Sequence, residues 1–326
     1  MAKLMDEVKK RFAAEGYALK TERTYSHWIR KYIRYYLPRH PRELGSDEVN
    51  QYLTHLAVDC NVSPTTQNQC RAAILFLYRL LEIELDGIRI VVAKRDKRVP
   101  TVLTENETMQ LIDNLQGVYK IMGQLLYGGG LRLSECLKLR VKDLDLYNRT
   151  IAVRDTKGNQ DRVTCLPMSA ISALQLHLRK VEAIHQEDLA NGYGEIDMPY
   201  ALARKYPHGA WEFGWQYVFP AAGLSKDPKS GRVGRWHIYD SSLQRAVREA
   251  AKKAGIIKPC GPHTLRHCFA TDLLRSGMDI RTVQELMGHK KVETTMIYTH
   301  VLGAEAVRSP LDRHLPAHEI KQRLRV

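Results

Sequence analysis

The chain has 326 residues, of which 44% are hydrophobic, and this suffices for about two domains with buried cores. Its formal net charge of +14 favours a polyanionic partner, and both the first 100 residues (18 Lys/Arg against 12 Asp/Glu) and the remainder (32 against 24) are basic. The six cysteines form no CxxC pair, no signal peptide precedes the charged start, and no apolar run approaches membrane-spanning length. We therefore expect a cytoplasmic protein with free thiols, no membrane association and a nucleic-acid partner; a generally basic soluble protein is the alternative.

The first 88 residues have the pattern of a small four-helix domain. The predicted helices cover residues 6–14, 21–37, 46–57 and 64–81, with Gly16, Pro38, Ser46 and Ser63 as terminating or capping residues. The helices carry cations that suit either a phosphate backbone or an ordinary solvated face, and the pattern leaves both interpretations open. These cations are Lys20, Arg23, Arg30, Lys31 and Arg34.

Residues 89–102 have the composition of a basic interdomain linker. Its cations Lys94, Arg95, Lys97 and Arg98 lack amphipathic spacing, and Pro100 closes the run. Such a segment suits a strap that crosses a phosphate backbone, with a flexible solvated connector as the alternative.

A second domain is expected from residue 103 to residue 326. A capping box at Thr104 to Glu107 opens a helix over 105–115, and an apolar helix then runs to Tyr127. The alternating stretches 150–154 and 162–166 flank a Lys157-Gly158-Asn159 turn and predict a β-hairpin. Further helices are predicted over 131–139, 169–189, 240–254, 263–275, 280–287 and 292–301. The fold class is therefore mainly α with a small β-sheet.

Five residues of this second domain, distant in sequence, together have the chemistry of an anion clamp with a nucleophile. They are Arg132, His263, Arg266, His289 and Tyr298. Two guanidiniums offset the charge that develops on a phosphate under attack, imidazoles donate hydrogen bonds and move protons, and a phenol attacks phosphorus. Glu135, one turn after Arg132, is placed to orient that arginine, and His267 lies beside Arg266 as a supporting residue. Taken singly, each is more commonly an ion-pair or core residue.

A leaving sugar oxygen also needs a proton, and Lys157 at the hairpin tip is a suitable donor, although a hairpin-turn lysine is usually only solvated. No carboxylate cluster suggests Mg²⁺ and no Walker-type loop is present, so no cofactor is expected. A zinc site from Cys260, His263, His267 and Cys268 is the weaker alternative, because four ligands within nine residues around Gly261-Pro262 converge poorly.

The ordered string Gly-x-Arg-x-x-Glu, hairpin Lys, His-x-x-Arg-His, Gly-His and Tyr resembles the tyrosine recombinases, which are site-specific DNA integrases. The resemblance implies a helical core-binding domain and a catalytic domain that clamp DNA. It implies Arg132 and Arg266 as the paired arginines, Lys157 as general acid, His263 and His289 as the histidines, and Tyr298 as the nucleophile of a 3′-phosphotyrosine intermediate. It further implies a tetramer on DNA, with segments after Val301 exchanged between protomers.

An aromatic-rich insertion at about 190–239 resembles the extra segment of the integron integrases. Its segments 198–207 and 215–220 carry the likeness. In that family the insertion holds bases flipped out of a folded single-stranded recombination site, and aromatic faces with interleaved cations suit that task. The contacts that the resemblance implies are Lys205, Trp211, Trp215, Pro228, Arg235 and His237, whereas Tyr217 and Phe219 are expected to pack in the interior.

Three alternatives remain open from the sequence. One is a Xer-type or phage-type recombinase that acts on duplex DNA only. Another is a non-enzymatic basic DNA-binding protein in which Tyr298 is merely structural, and the third is a metal-dependent nuclease.

Overall fold

The computed structural model describes residues 2–88, 100–154, 161–198, 200–227 and 231–299. The chain divides into two compact units, Met1–Lys97 and Arg98–Val326. Both are built mainly from helices, and two small antiparallel sheets belong to the second unit, which confirms the predicted fold class. No described helix is both long and apolar enough to cross a membrane.

The first unit is a four-helix domain with an aromatic core. Its helices are α1 (Ala2–Ala14), α2 (Leu19–Tyr35), α3 (Ser46–Val58) and α4 (Pro64–Leu80). The ring of Phe12 on α1 stacks on Phe76 of α4 with centroids 4.2 Å apart. The buried hydroxyls of Tyr32 and Tyr78 lie 2.8 Å apart and satisfy each other, which joins α2 to α4.

Most helix ends of this unit follow from local chemistry. Gly16 has a left-handed φ of +68° just after α1, and the Ser63 hydroxyl accepts the Thr66 amide at the start of α4, as predicted. The predicted cap at Ser46 is wrong: Gly45 is the N-cap, and its amide donates to the Glu48 carboxylate at 2.8 Å. Helices α1 and α2 also begin four and two residues earlier than predicted, at Ala2 and Leu19.

The second unit contains the remaining elements. They are α5 (Glu105–Asn114), α6 (Val118–Gly128), α7 (Leu133–Leu137), β1 (Leu144–Asp145), β2 (Thr150–Val153), β3 (Arg162–Cys165), α8 (Ile171–Ala190), α9 (Tyr200–Lys205), β4 (Ser225–Lys226), β5 (Val233–Gly234), α10 (Asp240–Lys253), α11 (Pro262–Arg275), α12 (Ile280–Met287) and α13 (Val292–Met296). One core joins α5, α6, α10 and α11, with Leu111, Met122, Val247 and Leu265 fully buried in it.

The hairpin strands β2 and β3 pair antiparallel, with Val153 opposite Arg162. A two-residue strand, β1, extends this sheet and was not predicted, because two residues carry no detectable alternation. The helix predicted over 292–301 ends at Met296, where the Tyr298 amide closes a tight turn onto the Thr295 carbonyl at 3.1 Å.

Candidate active site

A glycine turn after α6 places Arg132 at the start of α7. Gly130 has φ of +61°, and a Cβ at this position would lie 2.3 Å from the Phe269 ring, so only glycine fits. Arg132 is the N-cap residue of α7, and its backbone amide donates to the Glu135 carboxylate at 2.8 Å. This amide is therefore occupied, and the anion-binding capacity of the turn lies in the Arg132 side chain.

Glu135 is the buried centre of an arginine cluster. Its carboxylate accepts Nη1 of Arg132 at 2.6 Å and both terminal nitrogens of Arg162 at 3.0 and 2.7 Å. Nη1 of Arg266 lies 3.7 Å from the same carboxylate. Burial raises the pKa of Glu135, but hydrogen bonds and charge from Arg162 and Arg132 outweigh it and bring the pKa to about 2. Glu135 is therefore ionised at neutral pH.

The C-terminal end of α12 is held by the same three arginines. Three consecutive carbonyls each accept a hydrogen bond from a different guanidinium. The pairs are Leu286 with Nε of Arg162 (2.8 Å), Met287 with Nη2 of Arg266, and Gly288 with Nη2 of Arg132 (2.9 Å). Cations are favoured at this negative end of a helix, so the arrangement fixes α12 and the residue that follows Gly288.

Arg266 lies in the interior of the site, with 3% of its surface exposed. Nη1 donates to the Gly130 carbonyl. Burial, followed by the charge of Arg132, lowers the pKa of Arg266 to about 9, so the side chain still carries its charge at neutral pH. Arg132 and Arg266, 134 positions apart in the sequence, are thus brought onto the same carboxylate and the same helix end.

His289 projects from the residue after α12 and is neutral. Gly288 ends the helix in the left-handed conformation, with φ of +59°. Nε2 of His289 lies 3.4 Å from Nη2 of Arg266, and Nδ1 lies 2.9 Å from the Thr295 hydroxyl. Because the guanidinium only donates, Nε2 is the acceptor and Nδ1 carries the proton. Burial and the charges of Arg266 and Arg132 lower the pKa of His289 to about 4.

His263 lies in the first turn of α11, three residues before Arg266, and its side chain is exposed. Partial desolvation lowers its pKa, and the neighbouring charges of Arg266 and Arg132 act in the same direction. This histidine therefore faces the solvent side of the two-arginine pair.

Tyr298 is buried against this cluster, with 2% of its surface exposed. Its hydroxyl lies 3.0 Å from Nδ1 of His267, and its ring stacks on His289 with centroids 6.2 Å apart. Burial raises the pKa of Tyr298, although Arg266 and Arg132 oppose the shift. Burial, His263 and Arg266 lower the pKa of His267 to about 4, so a neutral phenol donates to a neutral imidazole.

Several predicted site residues lie outside the described residues. They are Lys157, Lys94, Arg95, Lys97, Arg98 and Pro228. On α2, the predicted cations are exposed at Lys20, Lys31 and Arg34 and half-buried at Arg30. The structure therefore brings together Arg132, Glu135, Arg266, His267, His289 and Tyr298, with His263 at the edge.

The insertion is attached to the catalytic core beside α7. Its backbone pairs with the stretch that follows this helix, since the Val218 amide donates to Leu139 at 2.8 Å. Two core cations cover its aromatic rings: Lys142 lies 2.6 Å from the Trp215 ring centroid, and Arg140 lies 4.4 Å from that of Tyr217.

The expectation that Trp215 faces DNA needs correction for this structure. Trp215 is only 9% exposed and packs in a small core with Met198 and Tyr217, whereas Trp211 is 45% exposed. Tyr217 and Phe219 are buried as expected. Trp215 supplies a large apolar ring that fills the interior of the insertion. Composition alone does not distinguish a buried tryptophan from an exposed one.

Two polar residues of the insertion are also engaged internally. Arg235 donates to both carboxylate oxygens of Asp188 at 2.5 and 2.8 Å and to the carbonyls of Ala221 and Ala222, so it stabilises the insertion. Half-buried His237 donates through Nδ1 to the Ile238 carbonyl at 2.8 Å. Lys205 is exposed, as a nucleic-acid contact requires.

Comparisons with known proteins agree with this fold. The phage integrase family matches residues 101–305, and the N-terminal SAM-like domain of phage integrases matches residues 4–85. The chain belongs to the phage integrase family of tyrosine recombinases, enzymes that cleave and rejoin DNA, and it is therefore a site-specific DNA recombinase.

Its relatives include an integrase/recombinase of Escherichia coli, 47% identical over 95% of this chain and 93% of the relative. The tyrosine recombinase XerD of Halalkalibacterium halodurans is 30% identical over 88% of each chain. The same fold occurs in XerH recombinase bound to a palindromic difH substrate (TM-score 0.61, 21% identity, 88% of this chain and 78% of that one). It also occurs in a lambda integrase dimer bound to a COC′ core site (TM-score 0.60, 16% identity, 95% and 98%).

Proposed function

We propose that Tyr298 is the nucleophile of this recombinase and that Arg132 and Arg266 hold the scissile phosphate. The Tyr298 oxygen forms a bond to phosphorus as its proton passes to Nδ1 of His267. The bond from phosphorus to the 5′-oxygen breaks, and Lys157 protonates that oxygen, which leaves a 3′-phosphotyrosyl link. A 5′-hydroxyl of a partner strand reverses the step, so the bond energy is retained.

The observation that carries this proposal is the convergence of two guanidiniums, two neutral imidazoles and one phenol in one cluster. Arg132 and Arg266 share the Glu135 carboxylate, His289 contacts Arg266, and His267 contacts the Tyr298 hydroxyl. Hydrogen bonds to described residues use two of the five N–H donors of Arg132, those to Glu135 and Gly288. The other donors suit the nonbridging oxygens, where negative charge develops during attack. His263 adds a donor from the exposed side of the pair.

Tyr298 is covered in this structure, so cleavage requires a shift of the segment that carries it. The helix before it, α13, has only five residues. We propose that DNA binding moves Tyr298 toward the two arginines. The ring contact with His289 is the interaction given up in that step, whereas the hydrogen bond to His267 is retained for the proton transfer.

The test of the cleavage proposal is adduct formation on a nicked suicide substrate, followed on a denaturing gel. The unmodified chain is expected to form a covalent protein–DNA adduct in the presence of EDTA, and Tyr298→Phe is expected to bind the same DNA without an adduct. An adduct formed by Tyr298→Phe would refute the assignment of the nucleophile.

We further propose that the substrate includes folded single-stranded hairpins, as in the integron integrases. The insertion forms its own apolar core, which supports a rigid platform, and the exposed Trp211 ring on this platform offers a face on which an unpaired base can stack. Lys205 supplies an exposed cation in the same insertion. Preference for the folded strand over its complement in the adduct assay would support this proposal.

Action on duplex DNA only is the second candidate, and the similarity to XerD favours it. Equal adduct yields from the hairpin and its complement, together with a higher yield from the duplex, would select this alternative.

Strand exchange involves two sites, and we propose that a tetramer on DNA performs it. We also propose domain limits of 1–88 for core binding, 89–102 for the linker and 103–326 for catalysis, with the insertion at about 190–239.

A further inference from the structure

We infer that Arg162, which the sequence did not single out, is a positioning residue for the proposed cleavage reaction: it holds Glu135 and the end of α12 in the geometry that Arg132 and Arg266 require. This inference rests on the proposed function. It names a third arginine at the site and gives it a role different from the phosphate-binding pair.

The hydrogen bonds of Arg162 point to this role. Both terminal nitrogens donate to the two oxygens of Glu135, at 3.0 and 2.7 Å, and Nε donates to the Leu286 carbonyl at 2.8 Å. The side chain is 7% exposed. The bidentate contact with the Glu135 carboxylate fixes the plane of the Arg162 guanidinium. Each of its three nitrogens already donates a hydrogen bond within the protein. Arg162 is thus poorly placed to grip a phosphate itself.

The groups that Arg162 holds are the ones on which Arg132 depends. Arg132 donates to the same Glu135 carboxylate and to the Gly288 carbonyl, two residues after the Leu286 carbonyl that Arg162 holds. A buried carboxylate needs compensating charge. In the absence of Arg162, the Glu135 carboxylate would draw Arg132 and Arg266 more tightly, and the end of α12 would lose one of its three anchors.

Arg162 also influences the position of His289, through its contact with Gly288. Gly288 packs directly on Arg162, since a Cβ at residue 288 would lie 2.9 Å from Cδ of Arg162. His289 follows at once in the chain, so displacement of Arg162 moves an imidazole that lies 3.4 Å from Arg266. A small displacement of groups around a reacting phosphate has a large kinetic effect.

The experiment measures single-turnover adduct formation at saturating suicide substrate, with DNA affinity measured separately. Arg162→Gln is expected to slow adduct formation about a hundredfold while DNA affinity changes by no more than about twofold, because the lost interaction is not with DNA. Arg162→Lys keeps the charge but not the fork, and we expect it to recover part of the rate. The matched control is Arg275→Gln, which removes an exposed arginine paired with Asp272 at 2.9 Å and is expected to leave the rate unchanged.

A double-mutant cycle with Glu135→Gln separates positioning from direct contact. If Arg162 acts mainly through Glu135, adding Arg162→Gln to Glu135→Gln slows adduct formation by no more than about tenfold further, well short of its effect alone, because the hydrogen bond to the Leu286 carbonyl is the contact left to lose. Additive losses, a fall in DNA affinity, or full activity in a folded Arg162→Gln or Arg162→Lys variant would overturn the inference. Absence of any adduct from the unmodified chain would instead refute the proposed function itself.

Discussion

The phenolic oxygen of Tyr298 lies 3.0 Å from Nδ1 of His267, on the helix that also carries Arg266. Because burial, His263 and Arg266 lower the pKa of His267 to about 4, its imidazole is neutral at pH 7 and accepts the hydrogen bond of the phenol. One hydrogen bond therefore both holds the proposed nucleophile in the resting structure and offers a route for its proton.

His267→Asn tests these two roles separately. The Asn oxygen can replace Nδ1 as hydrogen-bond acceptor but cannot take up a proton. We expect a thermal midpoint close to that of the unmodified chain, and adduct formation slowed by about 10²- to 10⁴-fold, the range for loss of a general base. Single-turnover gels and a thermal melt measure the two effects. Adduct formation at an undiminished rate would assign His267 to packing alone.

Glu135→Gln is expected to destabilise the catalytic unit by about 3 kcal/mol, because it leaves partly or fully buried guanidiniums without their countercharge. Urea unfolding measures the change. The control is Glu107→Gln, because Glu107 pairs with exposed Lys258 at 2.7 Å. The side-chain oxygen of the introduced Gln can still accept the hydrogen bond of the Thr104 backbone amide. The loss of stability is therefore expected to stay below about 1 kcal/mol. Equal costs at the two positions would contradict the central place given to Glu135.

Local signals in the sequence predicted much of this fold. The capping box at Thr104 is present, with Glu107 and Thr104 satisfying each other's amides at 2.7 and 3.2 Å. Helix α12 spans residues 280–287 as predicted, with Asp279 as its N-cap and Gly288 as its C-cap, and the hairpin strands pair where alternation indicated. These features depend on a few neighbouring residues, so a single sequence contains the information.

Arg162 and Trp215 show where such reasoning stops. Arg162 is the first residue of a short alternating strand and would ordinarily face solvent. Its burial depends on Glu135, 27 residues earlier, and Leu286, 124 residues later. Likewise, Trp215 is covered by Lys142, a residue far from it in the chain. Contacts of this kind arise from packing between elements, and no local pattern records them.

Stability in mild acid should depend on two half-buried histidines, His267 and His289. The pKa values of His267 and His289 are about 4 in the fold, against about 6.5 for an exposed histidine. Between these values the unfolded chain binds more protons, so the unfolding free energy falls as pH falls from about 6.5 to about 4. Glu135, with a pKa of about 2, stays ionised through this window.

The measurement is urea unfolding at pH 7 and pH 5. The unmodified chain is expected to unfold at lower urea at pH 5, and the double variant His267→Asn/His289→Asn is expected to lose part of that difference because it lacks the two titrating groups. An identical acid-induced drop in both proteins would show that other groups are responsible.

Trp211→Ala and Trp215→Ala should affect different properties, hairpin binding for the first and stability for the second. Removal of exposed Trp211 is expected to leave stability nearly unchanged and to weaken binding of a folded hairpin by about 1–3 kcal/mol, the value of one base–aromatic stack. Removal of buried Trp215 is expected to destabilise by about 3–5 kcal/mol through loss of packing. Thermal melts and hairpin titrations distinguish them. Equal loss of hairpin and complementary-strand binding in Trp211→Ala would leave base capture unsupported.

Gly288→Ala probes the end of α12 by combining backbone strain with a steric contact. The φ of +59° costs an alanine about 1–2 kcal/mol, and its Cβ would meet the Arg162 side chain at 2.9 Å. We therefore expect lower stability and slower adduct formation, because Arg162 must move away from Glu135 and His289 shifts with the chain.

The matched control is Gly255→Ala, where φ is +69° but nothing lies within 4 Å of the added Cβ. This variant carries the same kind of backbone strain without the contact, so it should lose similar stability and retain the adduct rate. A comparison of the two variants on the suicide substrate thus isolates the effect of displacing Arg162. Equal rates in both would mean that the end of α12 tolerates the displacement and that the three arginine–carbonyl hydrogen bonds there do not set the geometry of cleavage.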